Sequence, residues 1–175
     1  MELNELYTDI ITEYAKDKAH WHPLEHADVT LRGVNPSCGD EISLALEIEG
    51  GVIRKVGLSG SGCAISSASA SILADMMEGM EAEEAKRLAR LFIAMIRGDA
   101  QSEEELEELE DAVAFRGLSK MPARTKCAVL AWHTLEEAVD QWQARSAPAG
   151  ISLFLHNILS LYSKFTIVTA KTGRF

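Results

Sequence analysis

The chain has 175 residues, enough for one domain of ordinary size with its own hydrophobic core. Its 27 acidic residues outnumber 17 lysines and arginines and give a net charge of −10, which disfavours a sequence-independent grip on nucleic acid or anionic lipid. The sequence contains neither a signal-peptide pattern nor a run of about 18 apolar residues that would span a membrane. We therefore expect a cytoplasmic protein with no nucleic-acid or membrane partner.

The first third of the chain predicts one helix followed by an antiparallel sheet. Apolar residues recur at helical spacing over roughly residues 2–17, which predicts an amphipathic helix. Apolar and polar residues alternate over residues 29–31 and more clearly over 42–48, which predicts two strands. Gly50-Gly51 supplies the positive φ angles of a tight hairpin turn, and residues 52–58 continue as the return strand. These segments predict a three-stranded antiparallel sheet.

Helices are predicted for the rest of the domain, because the apolar spacing changes from 2 to 3.6 residues after Cys63. The first two of these helices are predicted to end at Gly79 and Gly98, since glycine readily adopts the left-handed conformation that closes a helix. Strands that come first and helices that follow are typical of the α+β class.

Two further helices are predicted after Gly98. Ser102 and Glu105 form a capping-box pattern, so we expect a helix over about residues 102–115 that is ended by Gly117. Pro122 opens the last long helix, because the first helical N–H group has no intrahelical partner. The buried stripe predicted for this helix consists of Val129, Trp132, Leu135 and Val139.

The C-terminal segment differs in composition from the rest of the chain. All 27 acidic residues precede Gln143, whereas residues 144–175 carry only basic charges. Polar side chains interrupt the apolar patches of this segment, which argues against a membrane span. We predict a domain over residues 1–143 and a C-terminal extension of unassigned role over 144–175, either an appended helix or a loosely ordered tail outside the chemistry.

The three cysteines each fall at the boundary of a predicted element. Cys38 lies in a turn between two strands, Cys63 at a strand-to-helix junction, and Cys127 in the first turns of the last helix. Such boundaries, and helix N-termini in particular, favour reactive or metal-binding thiolates. Three thiols in a reducing compartment do not form a disulfide scaffold, which favours metal or sulfur chemistry. On spacing alone, three separate buried cysteines remain the competing interpretation.

Asp40 stands two residues after Cys38 with only Gly39 between them, so a tight turn would aim both side chains at one point. If the three cysteines converge, their thiolates and this carboxylate complete a tetrahedral zinc shell. Such a shell carries excess negative charge. Arg124, three residues before Cys127, is the candidate compensating cation.

Three histidines, His20, His22 and His26, form a second metal-like cluster. No thiol or carboxylate accompanies them at the spacing of a known ligand set. We therefore interpret them as loop side chains rather than as metal ligands.

Three segments around the cysteines resemble motifs of a known family. They occur in the same order and at comparable spacing over roughly residues 3–142, and they resemble the cysteine motifs of the IscU/NifU-N-like iron–sulfur cluster assembly family. This resemblance implies an α+β fold in which a three-stranded antiparallel sheet packs with about five to six helices. The segments are Asn35-Pro36-Ser37-Cys38-Gly39-Asp40, Gly60-Ser61-Gly62-Cys63-Ala64-Ile65-Ser66 and Pro122-Ala123-Arg124-Thr125-Lys126-Cys127-Ala128.

The resemblance also implies a site and its partners. The zinc ligands would be Cys38, Asp40, Cys63 and Cys127, with Cys38 as the sulfur acceptor and Arg124 as a functional neighbour. The implied partners are a pyridoxal-phosphate-dependent, SufS-like cysteine desulfurase and a downstream cluster assembly complex. One alternative is a scaffold on which a labile iron–sulfur cluster is assembled on the same residues. A second is an interaction module in which zinc only fastens the sheet to the helices.

Two features resemble the SufU branch of that family. Lys126 precedes the third cysteine, where classical scaffolds have histidine, and the 63 residues between Cys63 and Cys127 include an insertion typical of SufU. The N-terminal loop departs from the family pattern, which has a His-Tyr pair and an Asn-Pro-Arg-Asn run. This chain has Glu13-Tyr14-Ala15-Lys16 and His20-Trp21-His22 there, in a region that bears on partner docking.

Overall fold

The computed structural model describes residues 3–99 and 101–146. The predicted α+β class is confirmed, since the structure has a three-stranded antiparallel sheet and six α-helices. The strands are β1 (Val29–Asn35), β2 (Asp40–Glu49) and β3 (Val52–Ser61). The helices are α1 (Leu3–Lys16), α2 (Ala64–Met77), α3 (Ala82–Arg97), α4 (Glu103–Glu107), α5 (Pro122–Ala128) and α6 (Leu130–Ser146), and a 3-10 helix spans Glu110–Lys120.

The division of the chain at residue 143 stays a prediction. Met1–Gln141 form one compact unit. Of the second unit, Trp142–Phe175, only the end of α6 is described, so most of the predicted extension over 144–175 lies outside the described residues. No helix within the described ranges is long and apolar enough to cross a membrane.

The sheet has the order β1-β2-β3, with β2 at its centre. Leu44 of β2 pairs with Leu31 on one side and Leu58 on the other, and the β2–β3 register shifts between Glu47 and Ile48 near the hairpin. Alternate residues of β2 are buried, as expected for a sheet with one face on the core. Gly50 and Gly51 form the predicted hairpin turn with φ of +60° and +85°.

An aromatic cluster joins the helices. The Phe92 ring of α3 stacks on Trp132 of α6 at 4.0 Å between centroids, and it meets Phe115 of the 3-10 helix edge-on at 5.9 Å. Trp132 also donates to Ser69 Oγ of α2 at 2.8 Å, and that hydroxyl donates to the carbonyl of Ala128. Because Ala128 directly follows Cys127, these hydrogen bonds connect the core to the third cysteine motif.

The predicted helix over residues 102–115 is wrong in its second half. The capping box of Ser102 is present, but the α-helix stops at Glu107 and a 3-10 helix follows that runs past Gly117. The reason lies in the apolar spacing of three residues, which matches the three residues per turn of a 3-10 helix better than the 3.6 of an α-helix. All four residues at this spacing are buried: Leu106, Leu109, Ala112 and Phe115.

Two other helix boundaries refine the sequence prediction. The predicted last helix is divided into α5 and α6 at Val129, and the predicted stripe is buried at Trp132, Leu135 and Val139. Gly98 closes α3 in the left-handed conformation with φ of +81°, as predicted. Helix α2 ends two residues before Gly79.

Gly60, the first residue of the second cysteine motif, is a position that requires glycine. Its φ is +113°, and a Cβ at this position would lie 2.1 Å from the carbonyl oxygen of Glu41 on β2. We expect Gly60→Ala to lower the free energy of unfolding by at least about 3 kcal/mol, because strain and backbone overlap add. The matched control is Gly50→Ala, which has a positive φ but open space and should cost about 1–2 kcal/mol. Urea unfolding of both variants checks the difference, and equal costs would contradict the assigned overlap.

Candidate metal centre

Three structural elements bring the cysteine motifs together. Cys38 lies in the turn between β1 and β2, Cys63 directly precedes α2, and Cys127 lies in α5. The ligand atoms of Cys38, Asp40 and Cys127 all lie within 4.8 Å of one another, and the two sulfurs are 3.2 Å apart. Cys38 is exposed, Cys63 is half-buried and Cys127 is buried. The donor set therefore extends from the surface into the core.

The turn between β1 and β2 explains why Cys38 and Asp40 face the same point. The amides of Cys38 and Gly39 both donate to the carbonyl of Asn35, at 3.2 and 2.9 Å. Gly39 has φ of +72°, a conformation that glycine adopts without steric cost. The Ser37 amide donates to Asn35 Oδ1 at 3.2 Å and tightens the turn further.

Asp40 is a buried carboxylate with a partner on each oxygen. Its exposed fraction is 1%. Oδ1 accepts a hydrogen bond from the Cys63 amide at 2.8 Å, and Oδ2 accepts one from Asn35 Nδ2 at 3.2 Å. The carboxylate thus links the end of β1, the start of β2 and the start of α2.

Asn35 is a site residue that the sequence argument missed. It is buried, and its Nδ2 lies 3.3 Å from Cys127 Sγ as well as within reach of Asp40. The available signal was its pairing with Asp40 across the turn, since Asn35 and Asp40 are partners in the β1–β2 register. Because register partners lie on the same face of a sheet, the Asn35 side chain lies on the same side as the Asp40 carboxylate.

Cys63 adjoins this group without being part of the tightest cluster. Its sulfur caps α2 by accepting from the Ser66 amide at 3.5 Å. At least one of its distances to the ligand atoms of Cys38, Asp40 and Cys127 exceeds 4.8 Å. It is nevertheless close enough to act electrostatically on Cys127.

The Cys127 thiol has a strongly raised pKa. Burial is the largest cause, followed by the neighbouring side chains of Cys38, Asp40 and Cys63. A desolvated thiolate beside a carboxylate is unfavourable, so the metal-free site holds Cys127 as a thiol at neutral pH. Since folding raises this pKa, the metal-free fold loses stability as the pH rises above the ordinary cysteine value of about 8.5.

Arg124 lies in α5 one turn before Cys127 and is exposed. Within residues 3–99 and 101–146, no ion pair includes its guanidinium. The cation predicted for charge compensation therefore lies within the third cysteine motif and is not neutralised by an ion pair among the described residues.

The three loop histidines do not converge. His20 Nε2 lies 2.6 Å from Asp75 Oδ1, whereas His22 Nδ1 lies 3.4 Å from the carbonyl of Pro23. In the part of the chain that the structure describes, only the group with Cys38 brings three potential ligands together. Within those residues the histidines form no ligand group.

Comparison with known proteins agrees with the motifs. A family model described as the NifU-like N-terminal domain matches residues 6–149. The chain belongs to this family. An iron–sulfur cluster assembly scaffold protein IscU from Streptococcus pyogenes serotype M1 is 36% identical over 79% of this chain and 85% of its own. A zinc-dependent sulfurtransferase SufU from Bacillus subtilis (strain 168) is 34% identical over 78% of this chain and 91% of its own.

Solved structures support the same fold. The crystal structure of FiSufU from Fervidobacterium islandicum AW-1 has a TM-score of 0.71 and 32% identity, and it covers 78% of this chain and 98% of its own. A NifU-like protein from Brucella abortus, at 20% identity, has a TM-score of 0.69 over 81% of this chain and 97% of its own. The family and fold implied by the three cysteine motifs are confirmed.

The donor chemistry of this NifU-like site fits a zinc ion. Tetrahedral zinc with bonds of about 2.3 Å to sulfur places two sulfurs about 3.8 Å apart, and Cys38 and Cys127 need to separate only slightly from 3.2 Å. Asn35 and the Cys63 amide donate hydrogen bonds to Asp40. Metal ligands in proteins usually have supporting partners of this kind.

The thiols should differ in reactivity in the metal-free protein. We expect iodoacetamide at pH 8 to alkylate Cys38 first and Cys127 last, because the raised pKa and burial of Cys127 leave little accessible thiolate. Peptide mass mapping over time checks the order. Faster labelling of Cys127 than of Cys38 would contradict the assigned environments, and labelling in urea is the control for intrinsic reactivity.

Removing the Asn35 side chain should destabilise the metal-free fold. Asn35→Ala leaves one Asp40 oxygen without its donor, so we expect the free energy of unfolding to fall by about 1–3 kcal/mol. Ser37→Ala is the matched control, because Ser37 is exposed and contributes its amide rather than its side chain. Urea midpoints check this, and equal values for the two variants would show that Asn35 is not required.

Proposed function

We propose that this protein is a zinc-dependent sulfurtransferase of iron–sulfur cluster assembly. It accepts persulfide sulfur on Cys38 from a pyridoxal-phosphate-dependent, SufS-like cysteine desulfurase and passes it to a downstream cluster assembly complex. The observation that carries the proposal is the exposed Cys38 sulfur beside a buried thiol and a buried carboxylate. The relative from Bacillus subtilis, named as a zinc-dependent sulfurtransferase, supports it.

The proposed zinc ligands are Cys38, Asp40, Cys63 and Cys127. Bound zinc would keep the sulfurs deprotonated at neutral pH, including the Cys127 sulfur that is otherwise a thiol. Four anionic ligands exceed the charge of one ion. In this proposal the exposed Arg124 guanidinium offsets that excess of negative charge.

The transfer step needs no oxidant or reductant. The Cys38 thiolate attacks the outer sulfur of the desulfurase persulfide, so a new S–S bond forms on Cys38. The S–S bond within the desulfurase persulfide breaks, and its electron pair leaves with the desulfurase thiolate. The persulfide proton stays with the transferred sulfur. Exposure of Cys38 allows this approach, whereas the burial of Cys127 prevents it.

The second candidate function is a scaffold for a labile iron–sulfur cluster on the same residues. Thiolates are also the ligands that such clusters prefer, and relatives from Streptococcus pyogenes and Thermotoga maritima carry the name of an assembly scaffold. A third candidate, in which zinc only holds the sheet to the helices, predicts an unreactive Cys38.

Sulfur transfer distinguishes these candidates. We expect zinc-loaded protein to increase alanine production by a cysteine desulfurase and to gain one sulfur on Cys38, detected by peptide mass. Zinc-stripped and iron-loaded protein are the comparison forms, and Cys38→Ala is the matched variant. Cluster build-up on the iron form without stimulation by the zinc form would favour the scaffold. Sulfur acceptance by Cys38→Ala would exclude Cys38 as the acceptor.

Arg124 can be tested separately from folding. We expect Arg124→Ala to lower the rate of sulfur transfer at least about tenfold with an unchanged urea midpoint, because Arg124 is exposed and makes no ion pair within the described residues. Lys126→Ala removes a neighbouring exposed charge and is the control. Equal effects of the two substitutions would reduce Arg124 to general surface charge.

A further inference from the structure

Ser66 has a buried hydroxyl with no partner. Its exposed fraction is 1%, and its Oγ makes no hydrogen bond within the described residues. The other serines along α2 differ in this respect. Ser69 Oγ donates to the Ala128 carbonyl at 2.6 Å, and Ser71 Oγ accepts from Trp21 at 2.9 Å. An unpaired buried hydroxyl is costly, so its retention beside the donor set calls for a reason.

The capping of α2 explains why this hydroxyl is unused. Cys63 is the N-cap and accepts from the Ser66 amide, three residues on. In a complete capping box the side chain at that third position accepts from the N-cap amide, as Glu105 does for Ser102 at 2.8 Å. In α2 the carboxylate of Asp40 takes the Cys63 amide instead. The Ser66 hydroxyl therefore takes no part in the cap.

The hydroxyl also lies beside the candidate ligands. A Cβ on Gly62 would lie 3.0 Å from Ser66 Oγ and 3.5 Å from Asp40 Oδ1, so both oxygens border the same small space. The Cys63 sulfur lies 3.5 Å from the Ser66 amide. The Ser66 hydroxyl and the Cys63 sulfur therefore belong to side chains three residues apart at the first turn of α2, next to Asp40.

We propose that Ser66 is a positioning residue, whose hydroxyl donates to Cys63 Sγ when the site holds its metal. The inference rests on the proposed metal site. A metal-bound cysteine sulfur is anionic and accepts a stronger hydrogen bond than a thiol does. The bond holds Cys63, the ligand furthest from the tight cluster, in its binding orientation. Partners of metal ligands typically change metal affinity 10–100-fold when removed.

Replacing Ser66 should move stability and metal affinity in opposite directions. We expect Ser66→Ala to leave the urea midpoint of the metal-free protein unchanged or higher, because the hydroxyl has no partner there. Zinc affinity, measured by competition with a chromophoric chelator, should fall about 10–100-fold. In the cobalt-substituted protein the sulfur-to-cobalt charge-transfer bands should shift. Ser66→Thr keeps the hydroxyl and should retain the parental affinity and bands.

The control is Ser69→Ala, which removes a hydroxyl that has partners in the metal-free fold. We expect it to lower the urea midpoint and to leave the cobalt bands in place. Parental affinity and bands in Ser66→Ala would overturn the role of Ser66 and leave the proposed function intact. A lowered urea midpoint or failure to fold would show a structural role and overturn it as well. Absence of thiolate–cobalt bands in the parent protein would refute the metal site itself.

Discussion

The site and the fold depend on the buried carboxylate of Asp40. A charge without a solvent shell needs hydrogen-bond donors, and Asp40 has the amide of Cys63 on one oxygen and the side chain of Asn35 on the other. These bonds join β1, β2 and α2 at the point where the cysteine motifs meet. A metal ion that binds Asp40 would therefore also change the stability of the junction between the sheet and the helices.

The two neighbouring thiols, Cys38 and Cys127, have different parts in the proposed sulfur transfer. Access comes from the exposed turn at Cys38, whereas a fixed position comes from α5, which is packed against the core around Ser69 and Trp132. Burial disfavours the anionic form of Cys127 in the metal-free protein. A cation in the site would reverse that preference, so metal binding and the packing of α5 are thermodynamically linked.

The parts of the structure that the sequence predicted best are those with a regular apolar pattern or a clear motif. Residue alternation and the Gly50-Gly51 turn predicted the sheet, because a sheet with one buried face requires that alternation. The capping box at Ser102 predicts an α-helix over 102–115, whereas the three-residue apolar spacing favours the 3-10 helix that forms over its second half. The motifs predicted one site of Cys38, Asp40, Cys63 and Cys127, and the ligand atoms of Cys38, Asp40 and Cys127 lie within 4.8 Å of one another. They did not identify Asn35, whose place in the site follows from strand pairing, or Ser66, whose buried hydroxyl has no hydrogen-bond partner among the described residues.

The distribution of ion pairs affects the electrostatic field around the thiols. Within the described residues, Arg87, Arg90 and Arg116 pair with glutamates on the helices, whereas Arg124 and Lys126 beside Cys127 pair with none. Exposed pairs of this kind add little stability, so their main effect is on the field around the molecule. A chain with a net charge of −10 thus keeps unpaired cations next to its thiols. Those cations make the surroundings of the thiols less negative than the net charge of the chain alone would suggest.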